Sequence, residues 1–216
     1  MYKLNLHAHS LYSDGHCSIK TMAEKYKELG FTCAVITDHL YSSGLNGVLD
    51  TSKYSLNYTN FMHQLIEADA VSKELNFPII LGIERTFFKS EEVLCFGAEF
   101  IKELFNPLVD LNEFFNLKNT LNGVAIIAHP IAEKSIDMGI HDVVDGYESF
   151  NGGCPMFGTY RTLPTEFEKL TAFSNSDAHG IITLDRGYNL TETPITTETE
   201  LIEYIKNKRP IKLFPI

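Results

Sequence analysis

The chain has 216 residues, 44% of them hydrophobic, which is enough for a buried core, and we take residues 1–216 as a single domain. Its net charge of −10 argues against a nucleic-acid polymer as the main partner, because binding to that backbone depends on lysine and arginine side chains that neutralise phosphates. The charge does not exclude a small phosphorylated substrate, since a site with several metal-binding carboxylates would itself raise the acidic count.

Cysteine usage and hydropathy indicate a cytoplasmic protein without a membrane partner. The four cysteines are far apart and form no Cys-X-X-Cys pair, so we expect reduced thiols, with Cys33 and Cys95 buried in apolar runs. No run approaches the roughly 18 apolar residues of a membrane span. The first residues already indicate a strand rather than a signal peptide. The sequence leaves the oligomeric state open.

The first predicted element is a strand over residues 4–9, whose apolar alternation leads into two histidines. Side chains two positions apart share a face of a strand, so His7 and His9 would lie side by side as half of a metal site. An isolated His-X-His pair is more often a pair of surface histidines on an edge strand. The polar residues downstream decide between these interpretations.

The following elements alternate between apolar strands and amphipathic helices. In chain order the pattern predicts a loop (10–17), a helix (18–30), a strand (31–37), a long loop (41–58), a helix (60–75), two strands (77–83 and 93–96), a helix (108–121), three strands (124–128, 143–150 and 170–175) and a closing helix (197–208). The long loop is rich in Ser, Gly, Asn and Tyr, which is typical of lids and binding loops. The alternation predicts an α/β fold, closed or nearly closed as a barrel of about seven units.

Side chains able to bind metals or transfer protons follow the apolar runs. In an α/β barrel the C-terminal ends of the strands carry the active site, so these side chains would meet there. Histidines mixed with carboxylates suit Zn, Mn or Fe, and the absence of cysteine from the set argues against a structural zinc site. The positions are His7, His9, Asp14, Asp38, His39, Glu84, His129, Asp177 and His179.

The motifs that contain these residues resemble those of the polymerase-and-histidinol-phosphatase (PHP) superfamily. The His-X-His pair is followed in order by SDG, TDH, GIE, AHP, GYESFN and SDAH, so the resemblance extends from His7 to about Gly187. It implies a distorted (β/α)7 barrel of mainly parallel strands and a centre of two or three divalent metal ions (Zn, Mn or Fe).

The resemblance also implies which residues bind each ion. Carried over position by position, the first ion takes His7, His9, Glu84 and Asp177, the second takes Glu84 and His129, and the third takes Asp14, His39 and His179.

One position departs from the family pattern. Glu92 stands where related proteins often have a histidine at the start of the next strand, so the second ion either keeps a carboxylate ligand of altered affinity or is weakly bound. His16 is an alternative ligand, although an ordinary loop histidine is the simpler interpretation. We expect Asp38 to orient an imidazole rather than to bind a metal.

The resemblance implies a metal-dependent phosphoric ester hydrolase of the PHP type. Its substrate would be a nucleotide or another small phosphomonoester or diester, and its nucleophile a metal-bridging hydroxide. Arg161, and after it Arg186, are the candidate phosphate-binding residues, because a guanidinium donates two parallel hydrogen bonds to a phosphate. The alternatives are a histidinol-phosphate or phosphotyrosine phosphatase and, from another class, a non-catalytic metal-binding or partner-binding barrel.

Overall fold

A central six-stranded sheet with helices on its faces forms the main part of the fold. The computed structural model describes residues 1–43, 48–49, 52–87, 91–153 and 164–215. In chain order the elements are β1 (Tyr2–Leu4), α1 (Ile19–Glu28), β2 (Ala34–Leu40), β3 (Ser42–Ser43), β4 (Val48–Leu49), α2 (Tyr58–Leu75), β5 (Ile79–Thr86), β6 (Glu92–Phe96), α3 (Ala98–Glu103), α4 (Leu111–Thr120), β7 (Val124–Ala128), α5 (Ala132–Asp137), β8 (Gly146–Asn151), β9 (Thr171–Asn175), β10 (Tyr188–Thr191), α6 (Glu198–Lys206) and β11 (Ile211–Phe214). Short 3-10 turns lie at Ile140–Asp142 and Thr165–Phe167.

The central sheet has the strand order β2-β5-β6-β7-β8-β9 and is mostly parallel. Strands β2 and β5 run parallel, as do β7, β8 and β9, which confirms the predicted α/β class. Strand β6 is antiparallel to both of its neighbours, so Glu92, which the sequence places at the start of this strand, lies beside the C-terminal ends of β5 and β7. Only five residues separate β5 from β6, which is too few for the crossover that a parallel pair requires.

The predicted strand over residues 4–9 is regular only up to Leu4, where β1 pairs with β10 in a separate antiparallel sheet with β11. Beyond Leu4, side-chain amides replace the hydrogen bonds of a neighbouring strand. The Leu6 amide donates to Asn175 Oδ1 at 2.9 Å, and the His7 amide donates to Asn5 Oδ1 at 3.3 Å. Strands β10 and β11 were not among the predicted elements.

The segment around Ala8 connects the two edges of the central sheet. The Thr37 amide, in β2, donates to the Ala8 carbonyl at 2.8 Å, and the His9 amide donates to the carbonyl of Ala178, just beyond β9, also at 2.8 Å. Residues distant in sequence therefore lie side by side here, and the histidine pair is held between the first and last strands of the sheet.

The helices bury the faces that their periodicity predicts. In α1, Ile19, Met22, Ala23 and Tyr26 are buried, and the side chain of Ser18 caps the helix by accepting from the Thr21 amide. The short helices α3 and α5 were not predicted, and α4 begins three residues later than expected. Cys33 and Cys95 are fully buried thiols, as predicted. In the described part of the chain, no helix combines the length and apolar character needed to cross a membrane.

Asn5 is expected to be essential for the stability of this arrangement. Its buried amide accepts from the backbone of Ser176 and donates to the hydroxyl of Tyr26, so Asn5→Ala leaves several buried polar groups without partners. We expect the free energy of unfolding to fall by roughly 2–4 kcal/mol in urea titrations.

The control for this substitution is Asn116→Ala, on the exposed face of α4, which should change the free energy of unfolding by less than about 0.5 kcal/mol. Equal stability of the two variants would show that the Asn5 amide does not hold the segment in place.

Candidate metal centre

A buried carboxylate, Glu84 of β5, lies at the centre of the site. Its Oε1 is 3.2 Å from His7 Nε2 and 3.2 Å from His129 Nε2. Its Oε2 is 2.8 Å from His39 Nδ1 and 3.5 Å from His9 Nε2. Four imidazoles from three separate parts of the chain therefore surround one carboxylate that has no exposure to solvent.

The first ligand group consists of His7, His9, Glu84 and Asp177. His7 Nε2 lies 3.0 Å from His9 Nε2 and 3.3 Å from Asp177 Oδ1, and His9 Nε2 lies 3.1 Å from the same Asp177 oxygen. Four ligand atoms about 2.0–2.1 Å from a tetrahedral ion would lie about 3.3 Å from one another. The observed separations match this value, so the four side chains are already spaced as ligands of one ion.

The second ligand group brings Glu92 to His129 and Glu84. Glu92 Oε2 is 3.4 Å from His129 Nε2, and its Oε1 is 4.0 Å from His39 Nδ1. Because β6 is antiparallel, its first residue pairs with Ala128, the last residue of β7, and so reaches the same edge of the sheet. The carboxylate that replaces the usual histidine thus projects into the cluster.

The third ligand group is formed by Asp14, His39 and His179 beside His9. Asp14 Oδ1 is 3.4 Å from His39 Nε2 and 3.2 Å from His179 Nε2. The His9 ring stacks on those of His39 and His179, with centroids 4.2 Å and 4.3 Å apart. Because His9, His39 and Glu84 each contact more than one group, the three groups form one continuous cluster.

Asp38 organises the loop that leads to Asp14, and does not orient an imidazole as the sequence led us to expect. Side chains of adjacent strand residues point to opposite faces, so Asp38 faces away from His39. Its carboxylate accepts hydrogen bonds from the Ser10 amide and hydroxyl, the Ser13 hydroxyl and the Gln64 amide. The buried charge is thereby satisfied while the loop is held against β2.

Gly15 allows the same loop to approach the histidine pair. A Cβ atom at this position would lie 2.2 Å from the carbonyl oxygen of His9, closer than any real contact. The His9 backbone cannot move away freely, because its amide is bonded to Ala178. Glycine at position 15 is therefore what brings Asp14 within reach of His39 and His179.

Glu148 of β8 is a functional residue to which the sequence-based interpretation gave no role. Its Oε1 lies 2.8 Å from His7 Nδ1 and accepts from the Asn175 side-chain amide at 2.8 Å. Its Oε2 accepts from the His129 backbone amide and from the Asn151 side-chain amide, both at 2.8 Å. A carboxylate at Nδ1 places the proton there and leaves Nε2 of His7 free to bind an ion. The signal was an acidic residue inside the otherwise apolar GYESFN strand.

Two residues of the cluster have left-handed backbone conformations. His129 has φ = 29° and Asp177 has φ = 47°, in a region that side chains other than glycine adopt at a cost of order 1 kcal/mol or more. The network around Glu148 stabilises both, because Glu148 binds the His129 amide and Asn151 donates to Asp177 Oδ2 at 3.2 Å. Strained backbone at these positions turns the two side chains towards the cluster.

Charge interactions within the cluster shift its pKa values strongly. Burial alone would lower the pKa values of His39 and His129, yet neighbouring carboxylates, foremost Glu84, raise them to about 10 and about 9. Burial and the charge of Glu84 raise the pKa of Glu92 to about 7. Burial would also raise the pKa of Glu84, but the imidazoles of His7 and His39 hold it well below its usual range. The cluster therefore favours bound positive charge.

The donor set fits divalent cations. Both oxygens of Glu84 and Oδ1 of Asp14 are buried. None of the described residues gives them a hydrogen bond of acceptable geometry, although imidazole nitrogens lie close to them. Buried anionic oxygens without hydrogen bonds are costly unless a cation neutralises them. Imidazoles with carboxylates are the ligands of Zn, Mn and Fe sites.

The remaining candidate residues are placed less directly. Arg161 lies outside the described residues. Arg186 is exposed, and a Cβ atom at Gly152 would lie 2.8 Å from the Arg186 Cβ, so its backbone borders the loop that leaves β8. His16 lies on the rim of the third group, where its amide donates to the His179 carbonyl at 2.8 Å.

Comparisons of the chain with known sequences identify a family and a distant relative. A family model described as the PHP domain matches residues 5–210. The DNA polymerase/3'-5' exonuclease PolX of Bacillus subtilis (strain 168) is 27% identical over 209 residues, which is 85% of this chain and 35% of PolX. The chain thus spans about a third of the length of that relative.

Solved structures show the same fold at low sequence identity. A two-domain protein from Bacteroides vulgatus that contains a predicted PHP-like metal-dependent phosphoesterase aligns with a TM-score of 0.62 and 18% identity, over 99% of this chain and 64% of that one. The lesion-specific endonuclease PfuEndoQ from Pyrococcus furiosus aligns with a TM-score of 0.61 and 16% identity, over 98% of this chain and 57% of that one.

The contact between Glu148 and His7 predicts a loss of metal affinity on substitution. Glu148→Gln keeps the shape of the side chain but removes the charge that accepts the His7 Nδ1 proton. We expect the affinity for Mn²⁺ or Zn²⁺, measured by competition with a chelator, to fall by about 10- to 100-fold. The exposed Glu133→Gln in α5 is the control and should bind as the wild type does. Unchanged affinity of the Glu148 variant would contradict the assigned contact.

The close approach at Gly15 predicts a selective effect of one methyl group. Gly15→Ala should push the loop and Asp14 away from His9, lowering the free energy of unfolding by roughly 1–3 kcal/mol and reducing the number of bound metal ions. Gly180→Ala is the matched control, because its Cβ would meet no atom of the described residues within 4 Å. Denaturant titration and elemental analysis measure both effects, and identical behaviour of the two variants would refute the explanation.

Proposed function

The chain belongs to the PHP domain family, and from this we propose that it is a metal-dependent phosphoesterase that hydrolyses a small phosphorylated substrate. The observation that supports the proposal most directly is the cluster of three overlapping ligand groups around Glu84. In this proposal His7, His9, Glu84 and Asp177 hold one ion.

The other two groups would hold the remaining ions. Glu84, Glu92 and His129 make up the second set of ligands, and Asp14, His39 and His179 make up the third. Bound divalent ions would supply Lewis acidity, which polarises a phosphoryl group and lowers the pKa of an attacking water.

The chain's own residues prepare this chemistry by fixing the ligands before any substrate arrives. Glu148 holds His7 in the tautomer with a free Nε2, and Asn151 holds Asp177 through a hydrogen bond. His7, His9 and Glu84 have no exposed surface, so that side of the cluster is closed to water. Ligands whose orientation is set by neighbouring groups need little rearrangement during the reaction.

The exposed side of the cluster indicates where a substrate would approach. The side chains of Asp14 and His179 are 31% and 36% exposed, whereas those of His7 and Glu84 are fully buried. A phosphate group would therefore reach the cluster from the side of the third ligand group. Arg161 and Arg186 remain the proposed phosphate-binding arginines.

The position of Glu92 supports an enzyme over a non-catalytic metal-binding barrel. The replacement of a histidine at this position was the reason to consider the second interpretation. Because the Glu92 carboxylate lies 3.4 Å from His129 Nε2, it can serve as a ligand in place of the histidine. A second bound ion would allow two ions to act together on one phosphoryl group.

The same proposal includes the closure of the sheet. Hydrogen bonds from the Ala8 region to Thr37 and to Ala178 support a distorted (β/α)7 barrel, in which this segment is the seventh strand. Such a barrel would bring the ligands from both ends of the chain to one rim.

The choice of a small substrate rests on the net charge of −10. PolX and PfuEndoQ are named for activities on DNA, but this chain matches only part of each. Histidinol phosphate and phosphotyrosine are the competing small substrates, and short single-stranded DNA is the competing polymer. All of them belong in the same substrate panel.

Loss of one ligand should abolish the activity. Protein loaded with Mn²⁺ or Zn²⁺ should hydrolyse p-nitrophenyl phosphate or a mononucleotide. His9→Ala should lower kcat/KM by more than about a hundredfold, because removing a ligand costs more than the roughly 10- to 100-fold loss that follows removal of a ligand's hydrogen-bond partner. The exposed His63→Ala in α2 is the control and should retain full activity.

Two results would contradict the proposal. Metal-loaded protein that is inert towards the whole panel would exclude a phosphoesterase. Fewer than two tightly bound ions per chain, measured by elemental analysis after gel filtration, would favour the non-catalytic barrel.

A further inference from the structure

A groove beside Asp14 extends the metal centre outwards. It has a volume of about 410 Å³ and is lined by residues that include Leu11, Asp14, His16, Lys53 and Tyr54. Pockets that bind small molecules have volumes of roughly 300–1,000 Å³, so the groove can hold part of a small substrate. Because Asp14 belongs to the third ligand group, a phosphoester bound there would have the rest of its molecule next to this groove.

The lining of the groove combines exposed apolar surface with a positive charge. Leu11 is 63% exposed and Tyr54 is 47% exposed, so both leave carbon surface in contact with water. The ammonium group of Lys53 lies 4.8 Å from the centre of the Tyr54 ring. Because Lys53 lies over one face of the Tyr54 ring, a planar ring attached to an anionic group would stack on the opposite face.

We propose that this groove binds the leaving group of the substrate, and that Tyr54 selects phosphoesters whose leaving group carries an aromatic ring. The inference rests on the proposed function, and adds the groove and the residue that select the leaving group. The ring would stack on Tyr54 while the phosphate is held at the third ligand group. Lys53 supplies positive charge at the entrance, which favours any anionic substrate in a chain that is acidic overall.

A second groove borders the third ligand group on the other side of His16. It has a volume of about 360 Å³, and its lining includes Cys17, His179 and Ile182. Ile182 is 86% exposed, but the described residues that line this groove include neither a tyrosine nor a lysine. An aromatic ring would gain no stacking on a tyrosine there, and so we assign the ring to the groove of Tyr54.

The test compares AMP with ribose 5-phosphate, which share the same ester bond and differ in the base. Stacking of a base on an aromatic side chain is worth about 5- to 150-fold in affinity, so metal-loaded wild type should favour AMP in kcat/KM by a factor in this range. Tyr54→Ala should bring the ratio of the two kcat/KM values close to one, and Tyr54→Phe should preserve it. Lys53→Met should lower both values and leave their ratio intact.

Tyr58→Ala is the matched control. Tyr58, the first residue of α2, is 49% exposed, close to the value for Tyr54, but its ring packs against Phe105. This variant should keep the wild-type ratio. A wild-type ratio near one, or an equal loss for both substrates in Tyr54→Ala, would overturn the inference while leaving the phosphoesterase proposal in place. If the ratio of kcat/KM for AMP to that for ribose 5-phosphate falls in Ile182→Ser and not in Tyr54→Ala, the ring binds in the second groove instead.

Absence of hydrolysis would count against the proposed function alone. In that case, calorimetric dissociation constants of AMP and ribose 5-phosphate for the Mn²⁺-loaded protein decide the inference. A preference for AMP that Tyr54→Ala removes would support the subsite, and equal affinities would overturn it.

Discussion

The burial of Glu84 is the constraint on which the rest of the structure depends. A carboxylate without solvent exposure must be neutralised, since an unpaired buried charge costs several kcal/mol. The compensating groups come from the segment after β1, from β2 and from the end of β7, as the distances to His9, His39 and His129 show. The position of one side chain thus sets the relative positions of several strands.

The clustering of the candidate ligands could be predicted because these residues interrupt apolar runs. Histidines and carboxylates at the ends of buried strands are costly to bury, so their presence in number indicates a functional site. The i, i+2 spacing of His7 and His9 also implied the contact that the structure shows between their Nε2 atoms at 3.0 Å. The direction of β6 was not predicted, because apolar composition is the same for parallel and antiparallel strands. The connection between β5 and β6 is too short for a parallel crossover and therefore implied an antiparallel strand. The antiparallel direction also explains how Glu92 reaches the cluster.

The roles of Glu148 and Asp38 could not be read from the sequence in the same way. The role of each carboxylate depends on the groups that donate hydrogen bonds to it. These groups come from distant parts of the chain, such as Asn175 for Glu148 and Gln64 for Asp38. The second sheet was missed for a related reason. Its strands are short, and in the segment after β1 the side chains of Asn5 and Asn175 take over backbone hydrogen bonds that a regular strand would make.

The hydrogen bond between His9 and Ala178 has a consequence for how the protein folds. The partners are 169 residues apart, so their contact closes one of the longest loops that the site requires. Contacts between such distant residues form late, because the entropy lost on closing a long loop must be recovered from interactions made beforehand. The histidine pair cannot meet Asp177 until the long segment between them has been ordered, so the first ligand group is completed late in folding. In the proposed metalloenzyme, this order would delay tight metal binding until the sheet that positions the ligands has formed.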